Sequence, residues 1–326
     1  MFNALILNQV DKKTQASVSQ LDESQLPNGN VVVEIDYSSL NYKDGLAVTG
    51  KGKIIRQFPM VPGIDFAGHV AQSSDSRFKP GDSVVLTGWG VGETHWGGMA
   101  EKACVNADWL VPLPDGLDAK KTMMIGTAGL TAMLCVDALI EAGVAPEQGE
   151  ILVTGASGGV GSVAVTLLAR LGYQVVALSG RSEENRTLLT RLGASRIIDR
   201  SAFEESAKPL EKQCWAGAVD TVGSHVLAKL LAQVQYGGAV SACGLAGGFD
   251  LPTTVMPFIL RGVRLLGVDS VMCPIQKRQK AWARLSELLP ESFYQQACRE
   301  IELKDVPAYA EAITQGKVTG RVVIKL

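Results

Sequence analysis

The chain has little with which to hold a metal or to cross-link itself. Its 326 residues include only three histidines (69, 95 and 225) and six cysteines (104, 135, 214, 243, 273 and 298), none of them in C-x-x-C spacing. Structural zinc needs closely spaced cysteines and catalytic zinc needs converging Cys and His donors, so metal-free chemistry and reduced thiols in a cytoplasmic protein are expected. An excess of one charge is also missing. Lys and Arg number 31 against 33 Asp and Glu, a net charge of -2, which leaves no electrostatic case for nucleic acid or an anionic membrane as partner. No apolar run approaches the roughly 18 residues of a membrane span. Residues 1–7 lack the basic start of a secretory leader, so none is expected. Repeats and low-complexity segments are absent as well.

What is present is an ordinary globular composition, 46% hydrophobic and 20% charged, over a length that suggests two domains. Residues 1 to about 124 carry short β signals broken by Gly and Pro. Examples are Val31-Val32-Val33-Glu34-Ile35-Asp36-Tyr37, and Pro80-Gly81-Asp82 leading into Ser83-Val84-Val85-Leu86. That spacing predicts a barrel-like β domain. From about 125 the rhythm becomes strand, helix, strand. Apolar runs at 151–153, 174–178, 196–199, 217–220, 238–242 and 263–268 alternate with helical stripes such as Val160, Val163, Ala164, Leu167, Leu168 and Leu171. Six strands with interposed helices predict an α/β, doubly wound sheet. The tail reads as a basic helix near 276–289, a helix near 305–315 and a last strand at Val322-Val323-Ile324, completing the N-terminal domain.

The most informative stretch is Thr154-Gly155-Ala156-Ser157-Gly158-Gly159-Val160-Gly161, after the run Ile151-Leu152-Val153. Strand, glycine turn and helix start in that order let a pyrophosphate approach the backbone and rest on a helix N-terminus. The turn also fits the T-G-x-x-x-G-x-G signature of short-chain dehydrogenases, which pair a Tyr with a Lys four residues later. The downstream tyrosines 173, 236, 294 and 309 are followed at that spacing by Ala177, Val240, Cys298 and Ile313. The short-chain reading therefore fails. The second strand ends in Leu178-Ser179-Gly180-Arg181. An acid there would bind a ribose 2′-hydroxyl, whereas a hydroxyl, a glycine and a guanidinium suit a 2′-phosphate, so NADPH is expected.

Asn41-Tyr42-Lys43-Asp44, Pro62-Gly63-Ile64-Asp65-Phe66-Ala67-Gly68 and Gly126-Thr127-Ala128-Gly129-Leu130-Thr131-Ala132 resemble blocks of the zinc-independent medium-chain dehydrogenases/reductases over nearly the whole chain. Thr87-Gly88-Trp89-Gly90-Val91-Gly92, His95-Trp96-Gly97-Gly98 and Pro257-Phe258-Ile259-Leu260-Arg261 look like its acrylyl-CoA reductase, quinone oxidoreductase-like branch. The resemblance implies a GroES-like β-barrel catalytic domain over 1–124 and 269–326 and a six-stranded Rossmann domain over 125–268. It implies NADPH-dependent reduction of acryloyl-CoA to propanoyl-CoA. A quinone or general enone reductase and a non-catalytic NADPH-binding protein stay open as alternatives.

Asn41 and Tyr42, at the end of a β strand where they could face the nicotinamide, are the catalytic candidates; by the same resemblance Tyr42 lies beside the nicotinamide, and Asp44 is read as orienting their loop. Ser157, Gly158, Gly159 and Val160 would hold the pyrophosphate. Ser179, Gly180 and Arg181, with Arg200, would hold the adenosine phosphate, and Leu245, Ile259 and Ser270 would line the nicotinamide end. Lys43, Lys51, Lys53 and Arg56 cluster where CoA phosphates could bind, with a solvated surface as the alternative. A homodimer through strand six is expected on resemblance alone.

Overall fold

The computed structural model describes residues 1–326. In chain order its strands and helices are β1 (Phe2–Val10), β2 (Lys13–Leu21), β3 (Val31–Leu40), α1 (Tyr42–Thr49), β4 (Asp65–Ser73), β5 (Ser83–Thr87), β6 (Lys102–Val105), β7 (Leu110–Pro112) and α2 (Ala119–Glu141). There follow β8 (Glu150–Thr154), α3 (Gly159–Arg170), β9 (Gln174–Ser179), α4 (Ser182–Arg191), β10 (Arg196–Asp199), β11 (Trp215–Asp220), α5 (Ser224–Gln233), β12 (Val234–Ala242), α6 (Met256–Arg261) and β13 (Arg264–Gly267). The tail is α7 (Ile275–Leu288), α8 (Glu291–Ala297), β14 (Cys298–Glu302), α9 (Val306–Thr314) and β15 (Arg321–Lys325).

Two compact units form. The first comprises residues 1–127, 270–287 and 298–326; the second comprises 128–269 and 288–297. The segment 288–297 thus groups with the second unit, where the sequence reading gave the first everything beyond 268. Its apolar side chains Leu289, Phe293, Tyr294 and Ala297 are buried.

In the first unit, β14, β15, β3, β4, β5 and β7 form one sheet, β6 also pairs with β3, and β1 and β2 make a hairpin. β15 runs antiparallel to β3 with Val322 opposite Leu40. That register brings Arg321 to the residue after Leu40, which is Asn41. The parallel partner of β15, β14, had no signal in the sequence reading. Val33, Phe66, Val84 and Leu86 fill one core cluster, and Leu5, Leu40, Val48, Val306 and Ile324 fill another. Each fully buried side chain of this size contributes about 1.5–3 kcal/mol.

In the second unit all strands are parallel, in the order β10-β9-β8-β11-β12-β13. Numbered from β8, this is the 3-2-1-4-5-6 order of a doubly wound dinucleotide sheet, whose ligands bind beyond the strand carboxyl ends where the order reverses, here between β8 and β11. Ile151, Leu152 and Val153 of β8 are wholly buried, as a parallel central strand requires.

One helix corrects the composition reading. α2 is long and apolar enough to match a membrane span, yet most of its apolar stretch is packed inside the protein. It is also broken at Gly126, whose φ of 53° and ψ of -160° are not helical.

Candidate active site

The glycine turn is built by close approach. Gly155 has φ of 58°, and a Cβ there would strike Thr221 Oγ1 at 2.3 Å. A Cβ on Gly161 would lie 2.3 Å from the Gly155 carbonyl, so α3 can pack against the turn only with glycine at that place. Gly158 caps α3 with extended backbone and no side-chain bond. The N–H groups of the first turn, Gly159 and Val160 among them, have no intrahelical acceptor and favour an anion. Below the turn, buried Asp220 accepts from Thr154 Oγ1 at 2.7 Å and from the Gly223 N–H at 2.8 Å, and burial raises its carboxyl above the ordinary range.

At the end of β9 the predicted phosphate residues come together. Ser157 and Ser179 stand 3.2 Å apart, hydroxyl to hydroxyl, and the Arg181 N–H donates to Ser179 Oγ at 3.3 Å. The guanidinium of Arg200, exposed just after β10, lies against Gly180, where a Cβ would sit 3.3 Å from its Cζ. The Arg200 guanidinium, the Ser179 hydroxyl and a bare glycine, with Arg181 adjoining and its Nη1 3.5 Å from Glu184 Oε2, have the donor chemistry for a phosphate dianion. The carboxylate of Asp199, the last residue of β10, is occupied by Ser182 Oγ at 2.7 Å and the Ser201 N–H at 3.0 Å, which hold it down to about 2.

In the first unit the sequence reading needs correction. Asn41 and Tyr42 do not end a strand. β3 stops at Leu40, Asn41 caps α1 and Tyr42 is its first helical residue. The cause is local: Asp44 Oδ2 accepts the Asn41 N–H at 2.9 Å, the carboxylate half of a capping box, and left-handed Gly50 ends the helix. Tyr42 stays 39% exposed, but Asn41 turns inward. Its Nδ2 donates to Ser39 Oγ at 3.2 Å, Asp44 Oδ2 at 3.2 Å and Asp65 Oδ2 at 3.1 Å, and its Oδ1 accepts from Arg321 Nη1 at 3.2 Å. An amide so fully engaged positions its neighbours.

The network around it was not legible in sequence. Asp65 accepts from Ser39 Oγ at 2.6 Å and from the Thr127 N–H at 2.7 Å. Arg321 donates Nη2 to Ser39 Oγ at 2.8 Å and Nε to the Met124 carbonyl at 3.1 Å. A Cβ on Gly126 would lie 2.6 Å from Arg321 Nη2, so the break in α2 makes room for this guanidinium and frees the Thr127 N–H for Asp65. Burial and the neighbouring Asp65 push Asp44 up to about 7, against the N–H groups of Asn41 and Ile64 that favour its charged form.

Other predicted residues are more scattered. Leu245, after β12, and Ile259, on α6, are 60% and 71% exposed, so neither is core. Ser270 is buried in the first unit, its carbonyl taken by buried Arg278 at 3.1 Å. Arg278 also binds the Val271 and Cys273 carbonyls and Thr87, and it lies over the Trp89 ring.

A parallel sheet in this strand order, with a glycine turn at the switch point, joined in one chain to a β-sheet unit, defines a two-part dinucleotide-dependent oxidoreductase. Residues 27–115 match the family "Alcohol dehydrogenase GroES-like domain" and residues 159–289 match "Zinc-binding dehydrogenase". The chain is 66% identical over 323 residues to the Escherichia coli protein named "Probable acrylyl-CoA reductase AcuI", covering 99% of each. To the acrylyl-CoA reductase AcuI of Ruegeria pomeroyi it is 54% identical over 327 residues, again 99% of each. The yhdH oxidoreductase of Salmonella enterica, solved in complex with NADP, superposes with a TM-score of 0.98 at 64% identity over 99% of both chains. The chain therefore belongs to the zinc-independent medium-chain dehydrogenase/reductase family, in its acrylyl-CoA reductase branch.

The donors present do not fit the zinc of that second family name. No three His, Cys, Asp or Glu side chains converge as a metal site. His69 pairs with Asp36 at 2.9 Å on the surface, and His95 Nε2 meets the Cys104 carbonyl at 2.8 Å with its ring edge-on to Trp109.

Proposed function

We propose that this protein reduces the α,β-double bond of acryloyl-CoA to propanoyl-CoA with NADPH. The observation that carries the reading is full-length identity of 66% to the protein named "Probable acrylyl-CoA reductase AcuI" and of 54% to the acrylyl-CoA reductase AcuI of Ruegeria pomeroyi. The phosphate-suited end of β9 supports the choice of NADPH over NADH.

When bound, NADPH supplies the hydride. Ser157, Gly158, Gly159 and Val160 bind its pyrophosphate at the α3 N-terminus, and Ser179, Gly180, Arg181 and Arg200 bind its 2′-phosphate. Leu245 and Ile259, both exposed in the second unit, line the nicotinamide end. Tyr42 is the catalytic residue. Its phenol donates to the thioester oxygen as negative charge gathers there, the term that an oriented O–H donor supplies in place of a metal. Asn41, Asp44, Asp65 and Arg321 are positioning residues that fix the first turn of α1 and so aim Tyr42.

The test is NADPH oxidation followed with acryloyl-CoA, crotonyl-CoA and a quinone, each over a concentration series. Acryloyl-CoA turnover at the highest kcat/KM is expected. Quinone turnover with none of acryloyl-CoA overturns the reading, and NADPH binding without any turnover makes the protein a non-catalytic binder. We further propose a cytoplasmic homodimer. β13 is an edge strand with an unpaired row of backbone groups beside half-buried Leu265 and Leu266. A monomer by light scattering overturns the dimer.

A further inference from the structure

The four cations near α1 are not equivalent. Lys43 pairs with Glu93 at 2.8 Å, and Lys51 pairs with Glu311 at 2.5 Å and with Thr314 Oγ1 at 3.1 Å. Lys53 and Arg56 are exposed and form no ion pair. Their loop is nonetheless held. The Gly52 N–H donates to Leu46 at 3.4 Å, the Ile54 N–H to Gly52 at 2.9 Å and the Arg56 N–H to Glu93 at 3.1 Å. Ile54, Ile55 and Phe58 pack on the core cluster of Leu40, Val48 and Ile324. Glu93 therefore receives both Lys43 and the Arg56 backbone, and this folds the loop back from the end of α1 to its first turn, where Tyr42 is exposed.

The result is a pinned strip of two uncompensated cations beside a helix of eight residues, about 12 Å long. An acyl-CoA carries a diphosphate and a 3′-phosphate, held away from the reacting thioester by the pantetheine arm. We infer that Lys53 and Arg56 form the phosphate-binding rim for the nucleotide end of the CoA thioester. This rests on the acryloyl-CoA reading above. Lys43 and Lys51, already neutralised, hold the loop in place. Cations on an exposed rim contribute modestly and are screened by salt.

The experiment compares kcat/KM for acryloyl-CoA and for S-acryloyl-pantetheine, which keeps the thioester and arm but has no phosphate. In the Lys53→Gln/Arg56→Gln double variant the preference for the CoA thioester should fall about five- to ten-fold. The wild-type preference should shrink likewise as ionic strength rises. Lys79→Gln, an exposed lysine elsewhere, should keep the preference. Retention of the preference in the double variant overturns the rim. So does an equal loss for both thioesters, which marks a structural loop, or an equal rise in the KM for NADPH, which places the phosphate effect at the cofactor. A wild-type enzyme that turns over neither thioester refutes the acryloyl-CoA reading itself.

Discussion

A methyl group placed on Gly180 would sit 3.3 Å from Cζ of Arg200, so that guanidinium lies against bare backbone at the end of β9. Arg181, the next residue, is the N-cap of α4. Arg181 Nη1 lies 3.5 Å from Glu184 Oε2 on the first turn of α4, while the segment Ser179-Gly180-Arg181 itself carries no acid where a ribose-binding carboxylate would stand. Arg181→Ala and Arg200→Ala should each raise the KM for NADPH about ten-fold or more, the loss of one charge-assisted contact, and change that for NADH by no more than about two-fold. Steady-state kinetics with both cofactors decide it. Equal effects on the two would remove the 2′-phosphate assignment.

The contact between Gly161 and the Gly155 carbonyl sets a second test. Gly161→Ala puts a Cβ 2.3 Å from that oxygen and 2.7 Å from Ala156 Cα, so α3 must shift. A cost of about 1–3 kcal/mol is expected, seen as a lower Tm together with weaker NADPH binding. Gly158→Ala meets only the same oxygen at 3.2 Å and should cost less stability.

The protonation of Asp44 predicts a pH dependence of stability. Its folded value of about 7 lies above the ordinary 3.8 because it is buried near Asp65. The folded state therefore binds the proton more tightly than the unfolded chain, and this contribution is complete below pH 4 and is lost as pH rises through 7. Asp44→Asn should flatten the stability profile between those limits in denaturant titrations. It should also cost about 1–3 kcal/mol, because an amide NH2 would face the Asn41 or Ile64 N–H. An unchanged slope would mean that Asp44 stays ionised throughout.

Tyr42→Phe removes only the phenolic oxygen from an exposed ring. If that oxygen donates to the thioester, kcat for acryloyl-CoA should fall about 100-fold, as for loss of one oxyanion donor, with the KM for NADPH little changed. Full activity would place the donor elsewhere.

The second unit was the more legible in sequence. Its six strands announce themselves as short apolar runs, and the glycine turn is local, with its residues inside eight positions. The end of β9 was legible for the same reason, since Ser179, Gly180 and Arg181 are consecutive. The buried network of the first unit left little trace. Asp65 stood in a recognisable block with no sign of its partners, and Arg321 had no local signal at all, because it meets Asn41 across 280 positions. Asn41 and Tyr42 look like a strand end in sequence because the capping role of Asp44 competes with a continuing β pattern. Helix α2 combined a span-like composition with an interior place, which composition alone does not separate.

The sequence by itself determined the strand order of the second unit, the nucleotide turn, the phosphate-suited strand end and the family. All of these are written in neighbouring residues, where backbone geometry and side-chain chemistry act over one or two turns. Tertiary structure alone decided what Asn41 does, why α2 breaks at Gly126, and which of four neighbouring cations are left uncompensated. Those outcomes depend on strand register. Pairing Val322 with Leu40 delivers Arg321 to Asn41, and a buried guanidinium then dictates the hydrogen bonds of every polar group around it.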